Sequence, residues 1–147
     1  MKLIPAHAYS RMIKALPILC VDVVIRNNKG EYLLIRRANE PLKNRWWVVG
    51  GRVLKGETLE KAAIRKVKQE TGLVVKSAQP IGFYEDVFEK NHCCKSPLHS
   101  VSVVFSVKIG QDWKIRLDKQ SWNFKFSLSL PKRLVIKPFI KKLNSQH

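Results

Sequence analysis

Residues 51–73 read GRVLKGETLEKAAIRKVKQETGL, and the fold turns on this stretch. Leu59, Ala62, Ala63, Val67 and Glu70 recur at spacings of three and four, which predicts a helix over 59–71. Thr58 is placed to cap its start. Gly72 is placed to end it in left-handed geometry. Gly50 and Gly51 precede it, and backbone without Cβ atoms can approach a ligand closely while leaving carbonyls free for a metal. Positions 66, 69 and 70 share one face, because residues three and four apart are neighbours on a helix. Three acidic residues there would hold two or more Mg²⁺ ions in oxygen ligands. Here the three are Lys66, Gln69 and Glu70.

Outward from the helix the chain alternates strands and turns. Residues 16–26, LPILCVDVVIR, form a β-rich run. The turn NNKG follows, with Gly30 as its permissive residue, and then a second strand EYLLIRR at 31–37. NRWWVVGGRV at 44–53 predicts a third short strand that breaks at Gly50 and Gly51. Beyond the helix, 73–90 and 98–109 supply further strands, and RLVIKPFIKKL at 133–143 suggests a short closing helix. Neither an internal repeat nor a Pro- or Ser-rich linker is present, so residues 1–147 are expected to form one domain.

Composition excludes several classes. At 45% hydrophobic and 27% charged residues, the chain is neither disordered nor membrane-spanning in character. No apolar run reaches the roughly 20 residues that cross a bilayer. Arg11, Lys14 and Asp22 interrupt the N-terminal stretch, which therefore does not read as a signal peptide. Cys20, Cys93 and Cys94 are an odd number without zinc-knuckle spacing, and a reduced, cytoplasmic chain accounts for them. The net charge of +17 favours polyanions, nucleic acid included. Its lysines and arginines are scattered and no RNP, zinc-finger or helix-turn-helix signature accompanies them, so nucleic-acid binding is not the favoured role. A homodimer is compatible with the chain.

The stretch at 51–73 resembles a Nudix box, G-x5-E-x7-R-E-U-x-E-E-x-G-U with U aliphatic. Gly51, Glu57, Arg65, Val67, Glu70, Gly72 and Leu73 match it, while Lys66 and Gln69 replace glutamates. The preceding GEYLLIRR and WWVVGG sit where that family has them. The resemblance implies an α/β/α sandwich with a mixed β-sheet. It extends furthest toward the GDP-mannose mannosyl hydrolases, a branch that lacks the same two glutamates and cuts the sugar's carbon–oxygen bond.

Carried over by position, that likeness implies one Mg²⁺ (or Mn²⁺ in its place) held by the Gly50 carbonyl, Glu70 and Gln120. Arg37 and Arg52 would grip the diphosphate of a nucleotide-sugar, since guanidinium forks suit its oxygens. Asp22, a carboxylate inside an apolar strand, needs a partner and corresponds to an acidic residue near the sugar, paired with an arginine. Glu57 and Arg65 are expected to brace the loop–helix junction. Ser121 stands where the branch has a histidine base, and a serine hydroxyl is a poor base at neutral pH. His92 and His99 are the possible substitutes, although a lone loop histidine is usually solvated. Trp46 and Trp47 are expected to pack, and Cys20 to be a small buried hydrophobe. Two further readings stand beside the first. One is pyrophosphate hydrolysis of a nucleotide derivative through Glu57 and Glu70. The other is a catalytically weak nucleotide- or RNA-binding module, favoured by the charge and by Ser121.

Overall fold

A computed structural model describes residues 4–40, 42–89 and 97–130. The expected closing helix at 133–143, His92, Cys93 and Cys94 lie outside the described residues. Two helices and seven strands follow in the order α1 (Ala6–Ala15), β1 (Ile18–Arg26), β2 (Tyr32–Arg37), β3 (Trp46–Trp47), β4 (Val49–Arg52), α2 (Leu59–Thr71), β5 (Gln79–Phe88), β6 (Leu98–Lys108) and β7 (Ser121–Ser127).

The strands form one mixed sheet in the order β3-β2-β1-β6-β5, with β4 also paired to β1 and β7 to β2. β1 and β6 run parallel through nine paired positions, from Ile18 opposite Ser100 to Arg26 opposite Lys108. The other pairings are antiparallel. Parallel neighbours need a long crossover, and the segment containing α2 and β5 supplies it. The result is an α/β sandwich on a mixed sheet.

Alternation along β1 divides the core. Val21, Val23 and Ile25 face α2 and pack with Ala62, Ala63 and Val67, all at 0% exposure. Val24 belongs to a second cluster with Tyr32, Leu34, Trp47, Val48, Tyr84 and Val104. Such alternation is what a strand buried on both faces requires. Asp22, one pleat from Val24, is the charged exception at 6% exposure.

Local signals set the helix ends where the sequence puts them. Thr58 Oγ1 accepts a hydrogen bond from the Lys61 backbone N–H at 3.2 Å, and Gly72 adopts φ +72°. The 27–30 turn also forms as expected. Asn27 Oδ1 accepts from the N–H groups of Lys29 and Glu31, and Gly30 takes φ +79°.

Two readings need correction. The third strand does not break at Gly50 and Gly51. It divides at Val48, so Trp46 and Trp47 pair with β2 while Val49 through Arg52 pair with β1. Gly50 and Gly51 lie inside β4, opposite Asp22 and Val21. The strand expected over 73–90 begins only at Gln79. Before it, the Ala78 N–H donates to Glu60 Oε1 at 3.1 Å, tying this stretch to α2. Helix α1 and strand β7 are additions. Tyr9 and Ile13, four residues apart, bury one face of α1. Phe124 and Phe126 alternate with Asn123 and Lys125 along β7 and pack on the α2-side core.

Candidate functional site

The loop from β4 to α2 is braced by one carboxylate and one guanidinium. Arg65 Nε and an Nη donate to Glu57 at 2.9 and 2.6 Å. The same Nη reaches the Arg52 carbonyl at 3.0 Å, and the other Nη donates to Gln69 Oε1 at 3.0 Å. Glu57 also accepts from the Leu54 N–H at 2.6 Å. The Arg65 hydrogen bonds hold the Glu57 pKa below the ordinary 4.5. Arg65 is thus committed to the scaffold.

Removing this brace has a testable cost. Glu57→Gln is expected to lose about 1–2 kcal/mol at neutral pH, the range for charge-assisted hydrogen bonds. A depressed folded-state pKa contributes stability above the unfolded value and loses it as pH falls through the folded one. The gap between wild type and variant should therefore close below about pH 4.5 in thermal melts. A gap that widens in acid would refute the ion-pair account.

Gly50 is squeezed between partners that leave no room for a side chain. A Cβ there would collide with the Asp22 carboxylate and lie 2.7 Å from the Val21 carbonyl oxygen. Asp22 itself accepts a short hydrogen bond from the Tyr84 hydroxyl at 2.5 Å. Burial pushes the Asp22 pKa up, against the lowering effects of the Tyr84 and Ser102 hydrogen bonds and the Arg37 charge. Hydroxyls on β5 and β6 are thus direct partners of Asp22. Arg37 acts on it through its charge.

At Gly51, φ is +150° and a Cβ would meet the Lys66 Cε at 2.7 Å and Nζ at 3.1 Å. The Lys66 side chain runs beneath this backbone and ends in an ion pair with Glu70, Nζ to Oε1 at 2.6 Å. Both side chains are nearly sealed from solvent, at 8% and 5% exposure. Burial raises the Glu70 pKa, while the Lys66 charge, the Lys66 hydrogen bond and the Gly50 N–H oppose the rise. The Asp118 carboxylate adds to the rise through its own charge.

This arrangement bears directly on the expected metal. The Glu70 carboxylate already receives an ammonium and a backbone N–H. Gln120 is exposed, with its N–H bonded to Asp118 Oδ1 at 2.9 Å and its carbonyl to the Ala38 N–H at 2.8 Å. Among the described residues, no three His, Cys, Asp or Glu side chains converge on one point. A dication and an ammonium about 4 Å apart repel by roughly 8 kcal/mol at an effective dielectric near 20. The residues present do not fit a resident divalent ion.

Three cations act by their charge near the start of β1. Arg52, Lys66 and Arg37 all act on the Cys20 thiol through their charges, opposing the burial and the Asp22 carboxylate that push its pKa up to about 12. Cys20 is half-buried and inert as a nucleophile. The exposed Arg52 guanidinium lies over the Tyr9 ring of α1, 4.0 Å from its centroid, which fixes the fork's direction. Ser121 opposes Arg37 across the β2–β7 pairing and is 6% exposed. Its hydroxyl has no hydrogen-bond partner among the described residues.

The remaining candidates fall elsewhere. His99, on β6, lies 3.8 Å from the Glu85 carboxylate and opposite Val87. Trp47 is core, as expected, whereas half-buried Trp46 has the cations of Arg36 and Lys125 over its ring. A cavity of about 980 Å³ opens beyond the C-terminal end of α2, lined in part by Gly72, Val75, Lys76, Lys108 and Trp113; it holds Gly72 of the box but none of the expected metal- or diphosphate-binding residues. Tyr84, Ser102 and Asp118 join the site without any local sequence signal. Tyr9 also joins, and the Tyr9–Ile13 spacing in α1 is the one clue to it.

Comparison with known proteins agrees with this architecture. The NUDIX domain family matches residues 16–128. A Haloferax volcanii protein described as low-salt glycan biosynthesis protein Agl8 is 31% identical over 83% of this chain and 78% of its own. An ADP-ribose pyrophosphatase of Methanocaldococcus jannaschii is 34% identical over 79% of this chain and 66% of its own. Among solved structures, a MutT protein from Methanosarcina mazei superposes with a TM-score of 0.70, covering 90% of this chain and 96% of that one at 22% identity. No described helix is long and apolar enough to cross a membrane. With the matched length reaching from β1 through β7 and the glycine-flanked helix and Glu57–Arg65 brace in place, the chain belongs to the Nudix hydrolase family.

Proposed function

We propose that the chain hydrolyses a nucleoside-diphosphate sugar of the GDP-mannose kind, breaking the glycosidic carbon–oxygen bond to release a nucleoside diphosphate and free sugar. The observation that carries this reading is the buried Lys66–Glu70 pair. Nudix hydrolases generally use divalent metals. Attack on phosphorus draws on metal ions to make hydroxide and to polarise the phosphoryl group. A helix whose one inward carboxylate is neutralised by lysine is poorly equipped for that. Attack at an anomeric carbon needs only that the departing diphosphate be stabilised where its charge develops.

The chain's own residues serve that task. Arg52, aimed by Tyr9, and Arg37 supply guanidinium donors, and Lys66 adds a third cation nearby. Asp22, hydrogen-bonded to Tyr84 and with its pKa raised by burial, is a carboxyl for proton transfer, a role that Ser121 cannot fill. The likeness to a relative named for glycan biosynthesis also supports a sugar-linked substrate. A second reading, hydrolysis of a pyrophosphate bond, draws on the relative named as an ADP-ribose pyrophosphatase.

Reaction in ¹⁸O-labelled water separates the two. GDP-mannose and ADP-ribose are incubated with the protein and the products weighed. Label on the sugar's anomeric hydroxyl, with unlabelled nucleoside diphosphate, is the expected result. Label on a phosphate would replace the proposal with the pyrophosphatase reading.

A further inference from the structure

We infer that the Lys66 ammonium is the resident cation of this site, standing where the Nudix box has a glutamate, so that the protein binds its substrate's diphosphate without a bound metal. This rests on the reading above in taking a nucleoside diphosphate as the group bound.

Position supports it first. Residue 66 shares a helix face with residues 69 and 70 and lies beneath Gly51, the backbone that opens the box. Gly51 has no Cβ, and the lysine stem fills the space that a Cβ would need. The side chain is therefore built into the site rather than draped over it.

Chemistry supports it next. A buried ammonium is costly unless paired, and Glu70 at 2.6 Å supplies the pair. Glu70 thereby fixes the ammonium and keeps it charged, which is a different task from holding an ion. Among the described residues Glu70 is its one ion-pair partner, so the remaining N–H donors of the ammonium are not used by protein carboxylates. The Lys66–Glu70 pair is neutral as a unit, and Arg52 adds a guanidinium held over the Tyr9 ring. Lys66 is thus a buried cation positioned by Glu70. A diphosphate at this site meets charge already in place, without waiting for a soluble ion.

The test is calorimetric titration of the full chain with GDP and with ADP, in EDTA and then in Mg²⁺. Binding in EDTA is expected, with Mg²⁺ changing the affinity by less than about tenfold. Lys66→Gln alone leaves Glu70 without its ammonium and mixes a stability loss into the binding readout. The double variant Lys66→Gln/Glu70→Gln removes both charges and keeps the shape. It should bind at least about tenfold more weakly in EDTA. Binding seen only with Mg²⁺, no binding of either nucleotide in EDTA, or a double variant that binds as wild type does would each overturn the inference. Nucleotide binding in EDTA without turnover of any nucleotide sugar would sink the proposed reaction but support the built-in cation. Turnover that depends wholly on Mg²⁺, with sugar-labelled product, would do the reverse.

Discussion

Lys66→Glu combined with Gln69→Glu is expected to turn this protein into a metal-dependent one. The two changes complete the box, placing carboxylates at 66, 69 and 70 on one helix face. Position 66 is 6% exposed and position 70 is 4% exposed, so two of the three would be buried together. Without a cation they repel, and the variant should melt well below wild type in EDTA. A divalent ion binds only the folded form and restores stability by mass action, about 2.7 kcal/mol at a hundredfold excess over its Kd. Melting curves with and without Mg²⁺ should therefore diverge for the variant and coincide for wild type. The reaction should change as well, with ¹⁸O from water moving to phosphate, because the helix then has the oxygen ligands that activate water beside phosphorus. A variant whose melting ignores Mg²⁺ would show that these two positions do not control metal binding.

What could be read in advance was what the chain encodes locally. The bounds of α2 follow from Thr58, the three-and-four spacing and Gly72, all of which act within one turn of the helix. The Glu57–Arg65 brace and the shared face of residues 66 and 70 are equally local. The content of that face was harder to read. A lysine in place of a glutamate suggests a lost ligand, whereas the folded chain shows an ammonium folded back on Glu70. Side-chain burial beneath Gly51 decides between them, and burial is a property of the packed structure. Asp22 makes the same point at longer range. Its need for a partner was visible, but the hydroxyl that meets it is on Tyr84, 62 residues away, brought in by the pairing of β5 on β6 and β6 on β1. Asp118, in the segment before β7, likewise acts on Glu70 through its charge. Strand β7 and helix α1 do carry local patterns, Phe124 with Phe126 and Tyr9 with Ile13. Those patterns are short enough to be outweighed by the charged residues around them.

Glu70→Gln is the second large change expected, and its effect is on stability. The substitution keeps the volume and helix propensity of the residue but takes away the anion that holds Lys66. An ammonium at 8% exposure is then left without its counter-charge. Breaking one partner of a buried ion pair costs about 3–5 kcal/mol, because the survivor stays desolvated. For a domain of this size that is a fall of roughly 10 °C in Tm. Lys66→Gln should cost less, since burial already raises the Glu70 pKa and the carboxylate can neutralise itself by taking a proton. The double variant should recover most of the loss, because neither charge is stranded and the amides can bond to one another and to the Gly50 N–H. Urea melts of the four proteins give the coupling directly as a double-mutant cycle. A coupling within about 0.5 kcal/mol of zero would mean that Glu70 does not hold the ammonium. The lysine would then be a bystander, and the carboxylate would again be open to a metal ion.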